Sequence, residues 1–304
     1  MILSIVCTAY NHEKYIRKTL EGFVKQKTDY KYKVIVHDDA STDKTRDIID
    51  EFVKKYPNLF VTIYQKENQY SKGVDIYEKF IYHLINTKYI ALCEGDDYWC
   101  DENKIQVQID YLENHPNCSM CVHNTLLINE KGESLNKNIN NMHQNFSFRT
   151  VDVILNKRFH TSSYMYRSIY LKHYDTTFKM KEVGDYPLAI FLSLYGYIFY
   201  IDKTMSCYRL FAENSWTDRM KKNKLESIAN NNDAIEYLKR VNKITKFRYN
   251  EAFKHKIIDY KYSNIILEKT YWKIFTNKLL FIIFVKKCIP LFLKNIIKSY
   301  LLKK

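Results

Sequence analysis

Through the first third of the chain, short apolar runs alternate with stretches whose apolar residues recur at helical spacing. Residues 2–8 are the first run, of a length suited to a buried strand. Tyr15, Ile16, Thr19, Leu20 and Phe23 then share one helical face. Residues 33–37 form a second run. Ser41, Thr42 and Asp43 supply capping oxygens for a second helix, marked by Ile48, Ile49, Phe52 and Val53 and stopped before Pro57. Residues 60–64 read as a third strand, and Ile76, Phe80, Ile81 and Leu84 as a third helical face. Residues 89–93 read as a fourth strand. This β-α-β-α-β-α-β order predicts an α/β fold, a mostly parallel central sheet with helices on both faces. Ligands of such sheets bind beyond the carboxyl ends of the strands.

The pattern changes after Trp99. Residues 101–114 read as an amphipathic helix, and residues 119–129 and 162–167 as strands, with a hairpin turn at residues 129–132. The asparagine-rich stretch 136–144 predicts a mobile loop. Residues 183–194 read as a helix and 197–201 as a strand of the same sheet. Residues 217–304 read as helical. There Phe275, Leu279, Leu280, Ile283 and Phe284 share a face, and lysines from Lys273 to Lys304 punctuate the rest.

Charge divides the chain at the same place. Residues 1–216 carry 27 Lys+Arg and 27 Asp+Glu, a sum of zero, whereas residues 217–304 carry 21 against 7, the whole net charge of +14. A neutral body of residues 1–216 followed by a basic helical region, residues 217–304, points to an anionic partner, with a membrane surface favoured by the amphipathic pattern. An ordinary packing helix with a solvated basic face is the plainer alternative. The 7 cysteines are odd in number and sparse, which excludes a disulfide framework and suits a reducing, cytoplasmic compartment. Cys118 and Cys121 lack a second pair to complete a zinc site and read as buried thiols. No leader and no run of 18 apolar residues is expected. With 6 Gly and 4 Pro in 304 residues, long flexible linkers are not expected either.

The chemistry concentrates in acidic clusters at strand ends. Asp38, Asp39 and Asp43 follow the second strand, Glu94, Asp96 and Asp97 the fourth, and Glu182 with Asp185 opens a later helix. Carboxylates packed together repel unless a cation shares the site, and hard oxygen ligands suit Mg²⁺ or Mn²⁺. In a parallel sheet the first two clusters must meet at one edge.

The order of these motifs resembles the family 2 glycosyltransferases of bacterial surface-glycan type over residues 1–216. The stretch Ser4–Asn11 with Tyr15-Ile16 and Leu20-Glu21 is similar to the family's first strand and helix. His37–Asp43 is similar to its nucleotide-binding motif, Glu94-Gly95-Asp96-Asp97 to its metal-binding D-x-D, and Gly184-Asp185-Tyr186 to the motif bearing the catalytic base. Tyr208-Arg209 with Ser215-Trp216 is similar to the segment that closes over the diphosphate.

The resemblance implies a GT-A fold, with residues 1–97 as the nucleotide-sugar half and 98–216 as the acceptor half. It implies an inverting, metal-dependent hexosyltransferase using a nucleotide-sugar donor, with uracil favoured, and a lipid-linked or surface-polysaccharide acceptor at the inner face of the cell membrane. Thr8, Ala9, Tyr10, Asn11, Asp38, Asp39, Glu94, Gly95 and Arg209 would contact the donor, with Asp96 on Mn²⁺ or Mg²⁺. Asp185 would be the base, and Trp99, His160 and Trp216 candidates for the acceptor side. The plainer alternatives are a core tryptophan, a loop histidine, helix-capping roles for Asp39 and Asp185, and a surface ion pair for Arg209.

Four positions depart from the family pattern: Ala40 for glycine, Glu94 for aspartate, Gly184 for glutamate and Phe211 for histidine. They leave room for a catalytically silent glycan- or nucleotide-binding scaffold. The basic tail leaves room for nucleic acid, although no such module accompanies it.

Overall fold

The computed structural model describes residues 1–155, 159–181, 183–210, 216–276 and 280–284. The chain forms two compact units, residues 1–175 with 183–218, and residues 176–182 with 219–304.

The first unit begins with β1 (Leu3–Ala9), α1 (Ile16–Val24), β2 (Tyr32–Asp38), α2 (Thr45–Lys55), β3 (Phe60–Tyr64) and β4 (Tyr89–Leu92). It continues with β5 (Tyr98–Trp99), α3 (Lys104–Asn114), β6 (Cys118–Ile128), β7 (Ser134–Asn138), β8 (Phe146–Phe148), α4 (Thr150–Leu155), β9 (Met165–Arg167), α5 (Asp185–Ser193) and β10 (Tyr197–Arg209). One sheet holds them in the order β3-β2-β1-β4-β9-β6-β10-β5, with β7 on β6 and β8 on β10. The first four run parallel, β9 is antiparallel to both neighbours, and β6 pairs β10 in parallel. Helices cover the parallel half, so β1 is buried almost end to end, as both-faced burial requires. Leu3, Ile5, Leu20, Phe23, Val34 and Ile49 share that core, each contributing roughly 1.5–3 kcal/mol of transfer free energy.

The third expected helix takes another form. Residues Tyr77–Ile81 make a single π turn, followed by a 3₁₀ turn at Tyr82–Leu84. Just upstream, Asp39 holds the preceding 3₁₀ turn Tyr70–Lys72 by accepting from the Gln69 and Tyr70 N–H groups at 2.9 and 3.0 Å.

The asparagine-rich stretch also departs from expectation. Its first part is β7, and Asn140 is buried. The Asn124 side chain accepts from the Asn140 N–H at 3.0 Å and donates to the Asn140 carbonyl at 2.9 Å. A buried amide bound on both sides fixes a segment that composition reads as loose.

In the second unit α7 (Lys224–Ile244) and α8 (Asn250–Glu268) follow α6 (Trp216–Lys222), which begins in the first. Asn223 caps α7 by accepting from the Glu226 N–H at 3.2 Å, the spacing of a capping box. Asn231 donates to Asn264 at 2.8 Å, and Asn264 to Asn232 at 2.9 Å, across the α7–α8 seam. Part of the expected amphipathic face is buried. Leu280 packs with Tyr262, Ile265 and Ile274, and Ile283 and Phe284 lie against them. Trp272 and Phe275 stay exposed. Leu279 and the lysines of 285–304 lie outside the described residues. Among the described residues, no helix is long and apolar enough to cross a membrane.

Candidate active site

The carboxyl ends of β1, β2 and β4 lie side by side, with Ala9 opposite Asp38 in register. Two adjacent aspartates there face different tasks, as strand alternation demands. Asp38 is 1% exposed and accepts from the Ser41 hydroxyl and N–H. The Ser41 hydroxyl in turn accepts from the Asn11 N–H at 2.9 Å, and Asn11 Oδ1 accepts from the Thr42 N–H at 2.8 Å. Asp38 and Asn11, both expected at the donor, also tie two loops together. Asp39 uses one lone pair of each oxygen on Gln69 and Tyr70. A carboxylate has about four acceptor sites, so a base N–H could still be accepted. Ala40 sits at φ 65, the left-handed region. That costs about 1–2 kcal/mol for a residue with a Cβ, so alanine for glycine is tolerated with strain.

Ala9 is buried, Thr8 half-buried and Tyr10 exposed at the rim. Tyr77, which no sequence pattern marked, lies close to Thr8 and Glu94, and burial followed by the Glu94 charge pushes its phenol well above the usual range. A Cβ at Gly95 would meet His12 Nδ1 at 2.8 Å and Ile16 Cδ1 at 2.9 Å. Glycine thus lets the acidic loop approach His12 and the first helix without a shift of either side chain.

The acidic cluster gathers at the end of β4. Ligand atoms of Glu94, Asp97 and His160 lie within 4.8 Å of one another. His160 Nδ1 is 3.5 Å from Asp97 Oδ2, and its ring stacks on Tyr208 at 3.9 Å. Thr161 donates to Glu94 Oε2 at 2.8 Å. Burial, then the Asp96 and Asp185 charges, push the Glu94 carboxyl up to about 7. Burial, then Asp96 and Glu94, push Asp97 well above the usual carboxylate range, against the pull of Arg209. Asp185, the first residue of α5, is therefore electrostatically coupled to Glu94 across just over ninety positions of sequence. Its own Oδ1 accepts from the Tyr186 N–H at 2.7 Å.

Arg209 is 4% exposed and braces this loop. Its N–H donates to Asp97 Oδ1 at 2.9 Å and its Nε to the Asp96 carbonyl at 3.0 Å. One terminal nitrogen donates to the carbonyls of Asn129 and Glu130, and the guanidinium lies 4.4 Å above the Tyr15 ring. It is no surface ion-pair residue.

Trp99 requires a correction. It is 3% exposed, donates from Nε1 to the Ser162 carbonyl at 3.0 Å and meets Phe23 edge-on at 4.9 Å. Pairing of β5 with β10 places it in the core, so it cannot stack on an acceptor. His160 lies beside the acids instead of on a separate acceptor wall. Phe211, Ser215 and the Trp216 side chain lie outside the described residues.

The family described as Glycosyl transferase family 2 matches residues 4–175, more than half of the chain. The chain belongs to the family 2 glycosyltransferases. It is 37% identical over 227 residues to the uncharacterized protein Rv1520 of Mycobacterium tuberculosis, a match covering 72% of this chain and 63% of that protein. The chain thus spans less than two thirds of that relative's length. It is 34% identical over 112 residues to the UDP-Glc:alpha-D-GlcNAc-diphosphoundecaprenol beta-1,3-glucosyltransferase WfaP of Escherichia coli, covering 37% of this chain and 41% of that enzyme. Among solved structures, S. aureus TarS 1–349 in complex with UDP superposes with a TM-score of 0.56 at 16% identity, covering 90% of this chain and 92% of that one. That likeness shows the GT-A fold.

In this family 2 glycosyltransferase the acids fit a divalent cation. Carboxylates whose proton affinity is raised by burial and then by one another's charge are stabilised when a cation enters. Asp96, expected as the ligand, stands outside the Glu94–Asp97–His160 group but supplies the largest neighbouring charge on both acids. The pH consequence follows from the direction of the shift. An unfolded glutamate loses its proton near 4.5, whereas folded Glu94 keeps it to about 7. The folded chain binds more protons between these values, so without metal its stability falls as pH rises through that window. A divalent cation bound there would displace those protons. Melting followed at about pH 6 and about pH 8 should show a larger Mn²⁺-induced rise at the higher pH. Equal rises would remove Glu94 from the ion's site.

Proposed function

We propose that this protein is an inverting, metal-dependent transferase that moves a hexosyl group from a UDP-sugar to a hydroxyl of a lipid-linked or surface-polysaccharide acceptor. The observation that carries the reading is the convergence of Glu94, Asp96, Asp97, His160 and Asp185 beside the carboxyl ends of β1 and β2, where Thr8 and Asp39 lie. TarS is solved with UDP, and WfaP by its name glucosylates a diphosphoundecaprenol-linked sugar, which supports both halves of the substrate assignment.

In this reading Thr8, Ala9, Tyr10 and Tyr77 line the nucleoside, and Asp39 accepts from the uracil N–H. Glu94, Asp96, Asp97 and His160 would hold a divalent cation, which would neutralise charge on the leaving diphosphate. Arg209 keeps the acidic loop in place and adds positive charge beside it. Asp185 takes the acceptor's proton from the face opposite the leaving group. That gives one in-line displacement with inversion.

Calorimetric binding of UDP, GDP and CDP, each with and without Mn²⁺, tests the donor assignment. UDP alone should bind tightly, and only with Mn²⁺. Preference for another nucleotide would overturn the Asp39 role, and binding of none would favour the silent scaffold.

The exposed Trp272 and Phe275 beside Lys273 belong to a face suited to anionic headgroups. On this reading the protein works at the inner membrane surface. Cosedimentation with phosphatidylglycerol liposomes should drop when residues 270–304 are removed; unchanged binding would end the membrane proposal.

A further inference from the structure

The turn that joins α7 to α8 exposes two large apolar side chains among cations. Ile244 is 42% exposed and Phe247 60%. Lys243, Lys246 and Arg248 beside them are exposed as well. From residue 237 to residue 250 the sequence holds Lys239, Arg240, Lys243, Lys246 and Arg248 but no Asp or Glu. Lys239 pairs with Glu236 at 2.7 Å, and Arg240 donates to the Thr177 and Lys179 carbonyls at 2.9 and 2.7 Å. Glu251, the next acid along the chain, pairs with Lys254 at 3.0 Å. The three cations flanking the turn itself are Lys243, Lys246 and Arg248.

Hydrogen bonds hold the turn in one shape. The Lys246 N–H donates to the Lys243 carbonyl at 3.0 Å and the Phe247 N–H to the Asn242 carbonyl at 2.9 Å, the paired bonds of a Schellman motif. The Thr245 hydroxyl donates back to the Val241 and Asn242 carbonyls, each at 3.0 Å. Asn242, itself buried, donates to Asn250 Oδ1 at 3.0 Å and ties the two helix ends together. Phe247 follows Lys246 into the left-handed region, φ 59 after φ 50. A bulky side chain rarely takes that conformation, for which glycine or asparagine is the ordinary choice. An apolar residue at this place in the motif commonly folds back on the third residue from the helix end. That residue here is Asn242, whose amide is turned to Asn250, and the ring stands in solvent.

We propose that this apex is a membrane anchor, with Phe247 and Ile244 inserted among the headgroups of an anionic bilayer and Lys243, Lys246 and Arg248 at the lipid phosphates. Interfacial binding draws on apolar area buried at the boundary of headgroups and acyl chains, together with attraction of Lys and Arg to anionic lipid. The apex offers both within six residues. In water the ring buries little area, whereas a bilayer supplies apolar depth and the complementary negative charge. The inference rests on the membrane reading above and adds a second contact to it. The 19 residues of α8 span about 28 Å, and Trp272 follows the far end of that helix, so the apex is a separate surface from Trp272 and Phe275.

Cosedimentation of the full chain with vesicles of phosphatidylcholine containing increasing phosphatidylglycerol is the test. Binding should rise with the anionic share. Phe247→Asn should weaken it by about fivefold or more, and the loss should persist in high salt because the ring acts through burial. Lys243→Gln combined with Lys246→Gln should weaken it by about tenfold or more in low salt and far less in high salt. Phe247→Asn should melt no lower than the parent, since asparagine accepts the left-handed conformation more readily. Unchanged vesicle binding in either variant would overturn the proposal. A lower melting temperature for Phe247→Asn would do the same by showing that the ring packs within the fold, and an altered oligomeric state by making the apex a contact between copies. Loss of affinity for a single-stranded oligonucleotide, with vesicle binding intact, would make the apex a nucleic-acid surface instead. Removal of residues 270–304 reads the other contact on the same vesicles, so either contact can fail while the other stands, and absence of binding by the parent would end both.

Discussion

Asp185→Asn should lower turnover by about a thousandfold or more while leaving UDP affinity unchanged. General-base catalysis contributes roughly 10²–10⁴-fold, and here no second carboxylate is free to substitute. In the proposed site Glu94 and Asp97 are taken up by the cation, so neither is available to the acceptor hydroxyl. Asparagine preserves the local structure, because its Oδ1 can accept from the Tyr186 N–H as the carboxylate does at 2.7 Å. The lost charge at the start of α5 costs about 0.3–1 kcal/mol of dipole stabilisation. A large kinetic loss with a small stability loss would mark a chemical role. Near-full activity measured with UDP-sugar and acceptor would remove Asp185 as the base. Gly184 does not complicate the test: nothing stands within 4 Å of a Cβ built there, so the site lacks a glutamate without being too tight for one.

Arg209→Ala should affect stability and activity together. The side chain donates to three backbone carbonyls, those of Asp96, Asn129 and Glu130. Losing donors to buried carbonyls costs about 1–3 kcal/mol each. Asn129 and Glu130 lie in an exposed turn where water can replace the donor, so the total should be about 2–4 kcal/mol in urea unfolding. Activity should fall by more than about a hundredfold, since the acidic loop loses the brace that sets its geometry. Arg209→Lys should recover only part of either loss, because an ammonium cannot reach both sides of the fork at once. Full recovery of both by lysine would show that charge alone matters at this position.

Several features were legible in the residue order because they depend on local spacing. The strands at residues 2–8, 33–37, 60–64 and 89–93 correspond to β1–β4, since a buried parallel strand needs a short apolar run. The meeting of the Asp38–Asp39 and Glu94–Asp97 clusters followed from the parallel order alone.

Other features depend on pairings between distant residues, which spacing does not encode. The split between Asp38 as clamp and Asp39 as the more available carboxylate needs Ser41 on one side and Gln69 on the other. Asp39 anchors a turn some thirty residues away, and the third helical face becomes a π turn. His160 joins Asp97 only through the packing of the segment before β9 under β10, and Trp99 is buried by pairing with Ser206. Local free-energy preferences set which segments become strands and helices. Which side chains meet is decided by sheet order and burial, through interactions that form only when the whole sheet has closed.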